Sequence, residues 1–138
     1  MGDAPDLPPE LVARLGKVCL ELPDAYEEDA WIGVRWRVRK QTFAHILPAD
    51  REWLQALAAS DRPGDVRGVL TFRSQDPERD VLIRSGLPFF KVDWGEDVIG
   101  LLLSDQPDWQ EIRELLTESY CLRAPKKLVT LVDRPGDN

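Results

Sequence analysis

The sequence predicts an α+β fold, an antiparallel β-sheet with helices packed on one face. Three observations carry that expectation. Near the start, Leu11, Val12, Leu15, Val18, Cys19 and Leu22 recur along one stripe of a 3.6-residue repeat. In the middle, Ile32, Val34, Trp36 and Val38 alternate with Gly33, Arg35, Arg37 and Arg39, a period of two that separates an apolar strand face from a basic one. Near the end, Trp109, Ile112, Leu115, Leu116 and Tyr120 form a second helical stripe. The strand segments between are joined by short turns, which favours antiparallel pairing in a single sheet.

The first helix is expected over residues 8–22. Asp6 is placed to cap it, and Pro8 and Pro9 are tolerated only in the first turn, where their missing N–H groups have no helical acceptor. Pro23 ends it, and the acidic run 24–29 reads as a turn. Residues 31–46 read as two strands joined at Arg39-Lys40-Gln41, a hairpin being the simplest connection for runs this close. Residues 50–59 have helical periodicity through Trp53, Leu54 and Leu57, and 60–65 is loop chemistry. A strand is expected over 66–72. A short helix follows over 74–85, with Pro77 in its first turn, Val81, Leu82 and Ile83 facing inward, and Gly86 as its stop. Pro88 cannot continue that helix, so 89–92 is the next strand. Asp93-Trp94-Gly95-Glu96 is a turn, and 97–103 a strongly apolar central strand. The last helix starts near Asp105, with Asp108 and Glu111 complementing its dipole.

At 138 residues the chain has the length of one domain, expected to span 1–138 with an ordered core over about 7–128. Its 43% hydrophobic and 31% charged residues are the composition of a globular protein. The longest apolar run, 98–103, falls far short of the roughly 20 residues that span a bilayer, so no membrane partner is expected. The start, MGDAPDLPPE, is acidic and Pro-rich and does not resemble a signal peptide, which implies a cytoplasmic protein. Cys19 and Cys121 lie far apart in expected helices and read as buried thiols. A net charge of −7 weighs against nucleic acid unless the cations are gathered on one face.

Five pieces of sequence, in this order and spacing, carry a resemblance. They are WRVRKQTFAH at 36–45, the helix-to-strand step Gly86-Leu87-Pro88-Phe89-Phe90, the strand WGEDVIGLLL, the pair Asp108-Trp109, and the ending ELLTESYCLRAPKKL. With them the chain resembles the YjbR/MmcQ family from about residue 7 to 128, departing around 48–65, where the connection is longer. The resemblance implies a small fold related to that of the frataxin/CyaY proteins. It also implies double-stranded DNA as a partner, through a paired-hairpin arrangement.

No catalytic constellation is apparent. The one histidine, His45, sits in an expected strand, Ser119 has no base placed beside it, and there is neither a GxGxxG nor a P-loop. Two cysteines and one histidine do not make a zinc site. The chain is therefore expected to be non-enzymatic and to use no cofactor. The candidate nucleic-acid-binding residues are Arg35, Arg37, Arg39 and Lys40 on the hairpin, joined by Arg123, Lys126 and Lys127 after the last helix. Two alternatives stand beside duplex binding. One is a solvated hairpin paired with the acids of 24–29, in a protein-interaction module that uses exposed aromatics such as Trp31 or Trp94. The other is a weak hard-cation site on Glu21, Asp24, Glu27, Glu28 and Asp29, by likeness to the acids of frataxin-like proteins. A monomer is the expected state.

Overall fold

The computed structural model describes residues 7–48, 66–104 and 106–132. Its elements run α1 (Pro9–Leu20), β1 (Tyr26–Asp29), β2 (Val34–Val38), β3 (Gln41–Leu47), β4 (Gly68–Arg73), α2 (Glu78–Ser85), β5 (Phe89–Lys91), β6 (Val98–Leu103), α3 (Trp109–Arg123) and α4 (Lys126–Val129). Six strands form one sheet in the order β1-β2-β3-β4-β6-β5, every pair antiparallel. Helices pack against it, as the sequence predicts. Trp36, Val38, Ile99, Leu101 and Leu116 are buried together between α1, α3 and the sheet, with Trp109 partly buried against them.

The two sheet faces are sorted by register, because directly opposed residues of antiparallel strands share a face. Val34, Trp36, Ala44, Ile46, Leu70, Phe72, Ile99 and Leu101 belong to the helix-covered face. Arg35, Arg37, Thr42, His45 and Thr71 belong to the other, which we call the open face. The sorting depends on a β-bulge. Opposite β2 the register moves from Trp36↔Ala44 to Arg37↔Thr42, so Phe43 is an extra residue on β3 and joins Ala44 in the core. Ser119 of α3, fully buried, closes the bulge: its hydroxyl donates to the Phe43 carbonyl at 2.5 Å and accepts from the Arg73 N–H at 2.7 Å. The neighbouring Tyr120 ring meets Phe43 edge-on at 5.4 Å, and its hydroxyl donates to the Pro23 carbonyl at 2.7 Å. Burial, with smaller contributions from Cys121 and Asp24, pushes that phenol up to about 12.

Trp36 shows how α1 is seated. Its indole N–H, buried, donates to Glu27 Oε1 on β1 at 2.9 Å. Both groups sit under Gly16, where a Cβ would lie 3.0 Å from Glu27 Oε1, so a glycine is kept in the middle of a helix despite its propensity cost. On the open face Gly100 plays a related part. Phe90 lies across it, and a Cβ there would come within 2.3 Å of the Phe90 ring. Val69, Phe90, Val92, Val98 and Leu102 form a second, smaller apolar cluster, which is why all six residues of β6 are buried.

Several boundaries differ from the sequence reading. The acidic run at 24–29 is a strand, β1, over Tyr26–Asp29, because Arg35, Arg37 and Trp36 on β2 give its side chains partners across the ladder. Residues 31–33 are loop rather than strand. Gly33 adopts φ +80° and approaches β3 so closely that a Cβ would sit 1.9 Å from the Ile46 carbonyl oxygen. The α1 N-cap is Pro8 without a side-chain bond; Asp6 lies outside the described residues, as do the expected helix at 50–59 and the loop at 60–65. On α2, Val81 is exposed and Leu82 and Ile83 are only partly buried, so that helix caps the sheet end without entering the core. Helix α3 begins at Trp109, later than the start near Asp105 read from the sequence, and Asp108 caps it by accepting the Glu111 N–H at 3.1 Å. Cys19 is buried as expected, but Cys121 is only partly so.

Two outcomes test this packing. Leu116→Ala should cost about 2–5 kcal/mol in chemical denaturation, as for a fully buried leucine whose cavity cannot collapse. Ser119→Ala should cost at least about 1–3 kcal/mol, because it removes a partner from both the Phe43 carbonyl and the Arg73 N–H. A change in Ser119→Ala below about 0.5 kcal/mol would show that the bulge does not need its hydroxyl.

Candidate interaction surface on the open sheet face

The hairpin arginines project from β2 to the open face, where β1 meets them. Glu28 lies opposite Arg35 and takes an ion pair from it, with Arg35 Nε donating to Glu28 Oε1 at 2.7 Å. Arg37 Nη1 donates to the same oxygen at 3.0 Å. The hydrogen bond from Arg35, opposed by desolvation and reinforced by the Arg37 bond and both guanidinium charges, holds the Glu28 carboxyl below its ordinary value. Arg39 does not share that face. It occupies the β2–β3 turn with Lys40, both at positive φ (50° and 67°), the backbone of a two-residue hairpin turn. There Arg39 pairs with Asp24 at 3.2 Å, and Arg37 Nη2 donates to the Lys40 carbonyl at 2.5 Å.

A second cluster lies across the sheet. Asp97, just before β6, takes Arg73 Nη1 at 3.0 Å on one oxygen and Arg123 Nη2 at 2.5 Å on the other. Partial burial opposes ionisation of Asp97, but the bonds and charge of Arg123 and Arg73 outweigh it and keep the carboxyl below its ordinary value. Arg73 Nε also donates to the Thr42 carbonyl at 3.3 Å, tying the cluster to β3. Of the sequence-predicted residues, the structure thus brings Arg35 and Arg37 together and joins Arg123 to Arg73. Lys40, Lys126 and Lys127 are exposed, the last two on α4 after the last long helix.

Between the clusters is a depression of about 170 Å³ lined in part by Arg35, Thr42, His45, Thr71, Arg73 and Trp94. His45 organises its rim. Its Nε2 lies 2.6 Å from the Ile32 carbonyl oxygen, and because a carbonyl can only accept, Nε2 carries the proton. The imidazole faces the Trp94 ring at 5.8 Å. His45 therefore links the β1–β2 loop to the β5–β6 turn. Each presents a tryptophan: Trp31 is 96% exposed, Ile32 43% and Trp94 53%. Burial first, and then the charge of Arg35, lower the His45 pKa, the bond to Ile32 opposing them.

Four of the five acids named from the sequence, all but Asp29, are dispersed among separate partners. Glu21 binds Arg113 at 2.9 Å, Asp24 binds Arg39, Glu27 holds Trp36 and Glu28 holds two arginines. Among the described residues no three His, Cys, Asp or Glu side chains are grouped to hold a metal ion, and no helix is long and apolar enough to cross a membrane. Sequence reasoning named Trp31 and Trp94 only as examples of exposed aromatics. It missed Arg73, Asp97 and the bridging role of His45, which only the sheet register brings together.

His45 gives a pH test. With its folded pKa below the ordinary 6.5, the unfolded chain takes up a proton first, so stability should fall as pH drops through 6.5 and level off below the folded value. As the chain's one histidine it isolates this window from the carboxylates, which titrate near pH 4. The urea midpoint should fall from about pH 7 to about pH 5 in the wild type and change much less in His45→Gln. Equal slopes would show that His45 is not held neutral.

A family model described as YjbR matches residues 20–122. No curated protein and no solved structure matches the chain. The matched span runs from the last residue of α1 through all six strands and stops one residue short of the end of α3, so it contains the bulge, the Glu28 cluster, Arg73 and Asp97 of the second cluster and the tryptophan-bearing turns, but not Arg123. The chain belongs to the YjbR family.

Proposed function

We propose that this YjbR-family domain is a non-enzymatic protein-interaction module whose contact surface is the strip Trp31, Ile32, His45 and Trp94 at the rim of the open sheet face. One observation carries the reading: a tryptophan 96% exposed on a loop that Gly33 and the His45–Ile32 bond hold in place. Covering one such side chain is worth roughly 4–6 kcal/mol before association costs. A loop already fixed loses little conformational entropy on binding, which is the setting in which tryptophan dominates interface energetics.

The duplex-DNA reading draws on the hairpin cations and the family resemblance. Arg35, Arg37 and Arg39 each already have a carboxylate partner, and Arg123 shares one with Arg73. A duplex would have to displace Glu28, Asp24 and Asp97, or be held by Lys40, Lys126 and Lys127 against a net charge of −7. The exposed aromatics favour the protein partner.

Selection of random displayed dodecapeptides on the immobilised protein tests the proposal. Clones should emerge whose binding is lost with Trp31→Ala, while the unfolding free energy of that variant, from urea denaturation, stays within the roughly ±0.5 kcal/mol expected of an exposed site. Anisotropy of a labelled duplex at low salt should show no binding. Duplex binding that weakens with Arg35→Ala or Arg37→Ala, and whose salt slope drops by about one per arginine removed, would overturn the proposal in favour of DNA.

A further inference from the structure

The two arginine clusters hold more positive charge than they neutralise. Arg35 and Arg37 share the single carboxylate of Glu28, and Arg73 and Arg123 share that of Asp97. Each cluster therefore keeps one net positive charge: Arg35, Arg37 and Arg73 lie on the open face, whose one histidine is neutral at pH 7, and Arg123 reaches Asp97 from the end of α3. Donors also outnumber acceptors: Arg37 Nε is buried without a hydrogen-bond partner among the described residues. The depression lies between the clusters, with Arg35 on one side and Arg73 on the other. Its floor is the strand backbone at Phe43, Ala44 and Phe72, whose side chains point into the core, and Thr42, Thr71, Val98 and the Trp94 ring complete its lining. At about 170 Å³ it has the space of roughly five or six waters at ~30 Å³ each, enough for one small side chain.

Resting on the interaction reading above, we propose that this depression receives the carboxylate of an aspartate or glutamate from the partner's docking segment, with a neighbouring apolar residue of that segment covering Trp31 and Trp94. Charge complementarity selects the occupant. A carboxylate there meets guanidinium groups whose positions are already set by Glu28 and Asp97, so little ordering is lost when the new bonds form. The Val98 and Trp94 side chains in the lining lower the local dielectric and strengthen each of those bonds relative to water. A single carboxylate senses only the local excess of positive charge, because screening confines its field to about 8–10 Å. A long polyanion would also run across the acidic remainder of the chain, including the exposed Asp93 and Glu96 beside the same turn. The aromatic strip adjoins the depression through His45, which lines the one and bonds the backbone of the other, so a peptide of ordinary length can reach both.

The clones from the dodecapeptide selection provide the test. Their sequences should share an Asp or Glu close to a large apolar residue. For a synthetic peptide of the leading clone, an isosteric Glu→Gln or Asp→Asn change should weaken binding about tenfold, the loss expected for a charge-assisted hydrogen bond. Arg35→Gln in the protein should weaken the unchanged peptide by a similar factor, and the two changes together should cost little more than one alone. The peptide variant needs no change in the protein, so the test survives if Arg35→Gln is poorly folded. Clones that require Trp31 but carry no acidic residue, and tolerate Arg35→Gln, would overturn the pocket and leave the interaction module standing. Absence of any Trp31-dependent clone would remove both. Displacement of the acidic peptide by millimolar inorganic phosphate, or by a single-stranded thymidine oligonucleotide, would reassign the depression to phosphate recognition and overturn the proposal.

Discussion

The rest of the structure depends on the bulge at Phe43 and the buried hydroxyl that closes it. An extra residue on β3 lets Phe43 and Ala44 both enter the core while Thr42 and His45 stay on the open face. Side-chain direction in a strand has a strict period of two, so without the bulge one end of β3 would turn its apolar residues outward. The bulge takes the Phe43 carbonyl out of the ladder, and Ser119 satisfies it while also accepting the N–H of Arg73 at the end of β4. One hydroxyl thus fixes α3 against two strands at once and sets where Arg73 begins its reach toward Thr42 and Asp97. The packing of the core and the placement of the surface have a common origin.

Charge is arranged by the same geometry. A strongly acidic chain keeps an excess of arginine on one sheet face by making each carboxylate there serve two guanidinium groups. The remaining arginine of the hairpin is spent on the turn, where Arg39 and Asp24, both at positive φ, hold each other across the connection into β1. This division explains why residues that alternate evenly in sequence, Arg35, Arg37 and Arg39, end in two different roles.

Much of the fold is legible in the sequence because it follows from hydrophobic period. The stripes of α1 and α3, the alternation of β2 and the apolar run of β6 each point to one element, and the family match covers β2, β6 and nearly all of α3. The strand YEED is not legible in that way: nothing in four mostly charged residues indicates a ladder, and its extended form is specified by partners on β2. The bulge is only faintly marked: QTFAHIL sets Phe43 beside Ala44 and so breaks the alternation, but two adjacent apolar residues do not by themselves specify an extra residue in the ladder. The surface is hardest of all. The hairpin arginines are visible as a pattern, but Arg73, Asp97 and Arg123 come from three distant segments, and His45 meets Trp94 only because β3, β4 and β6 lie side by side.

Strand β1 also bears on what the edge of the sheet presents to another molecule. Among the described residues it ends the sheet, leaving one row of backbone N–H and C=O groups without a ladder partner there. Such an edge invites a second molecule to add its own strand and continue the sheet, the first step of open-ended polymerisation. Three consecutive acids, Glu27, Glu28 and Asp29, guard it, and an identical edge approaching in either direction would set like charges against each other. The residues that anchor Trp36 and orient two arginines also discourage self-assembly, and a variant that neutralised them would lose colloidal stability together with packing.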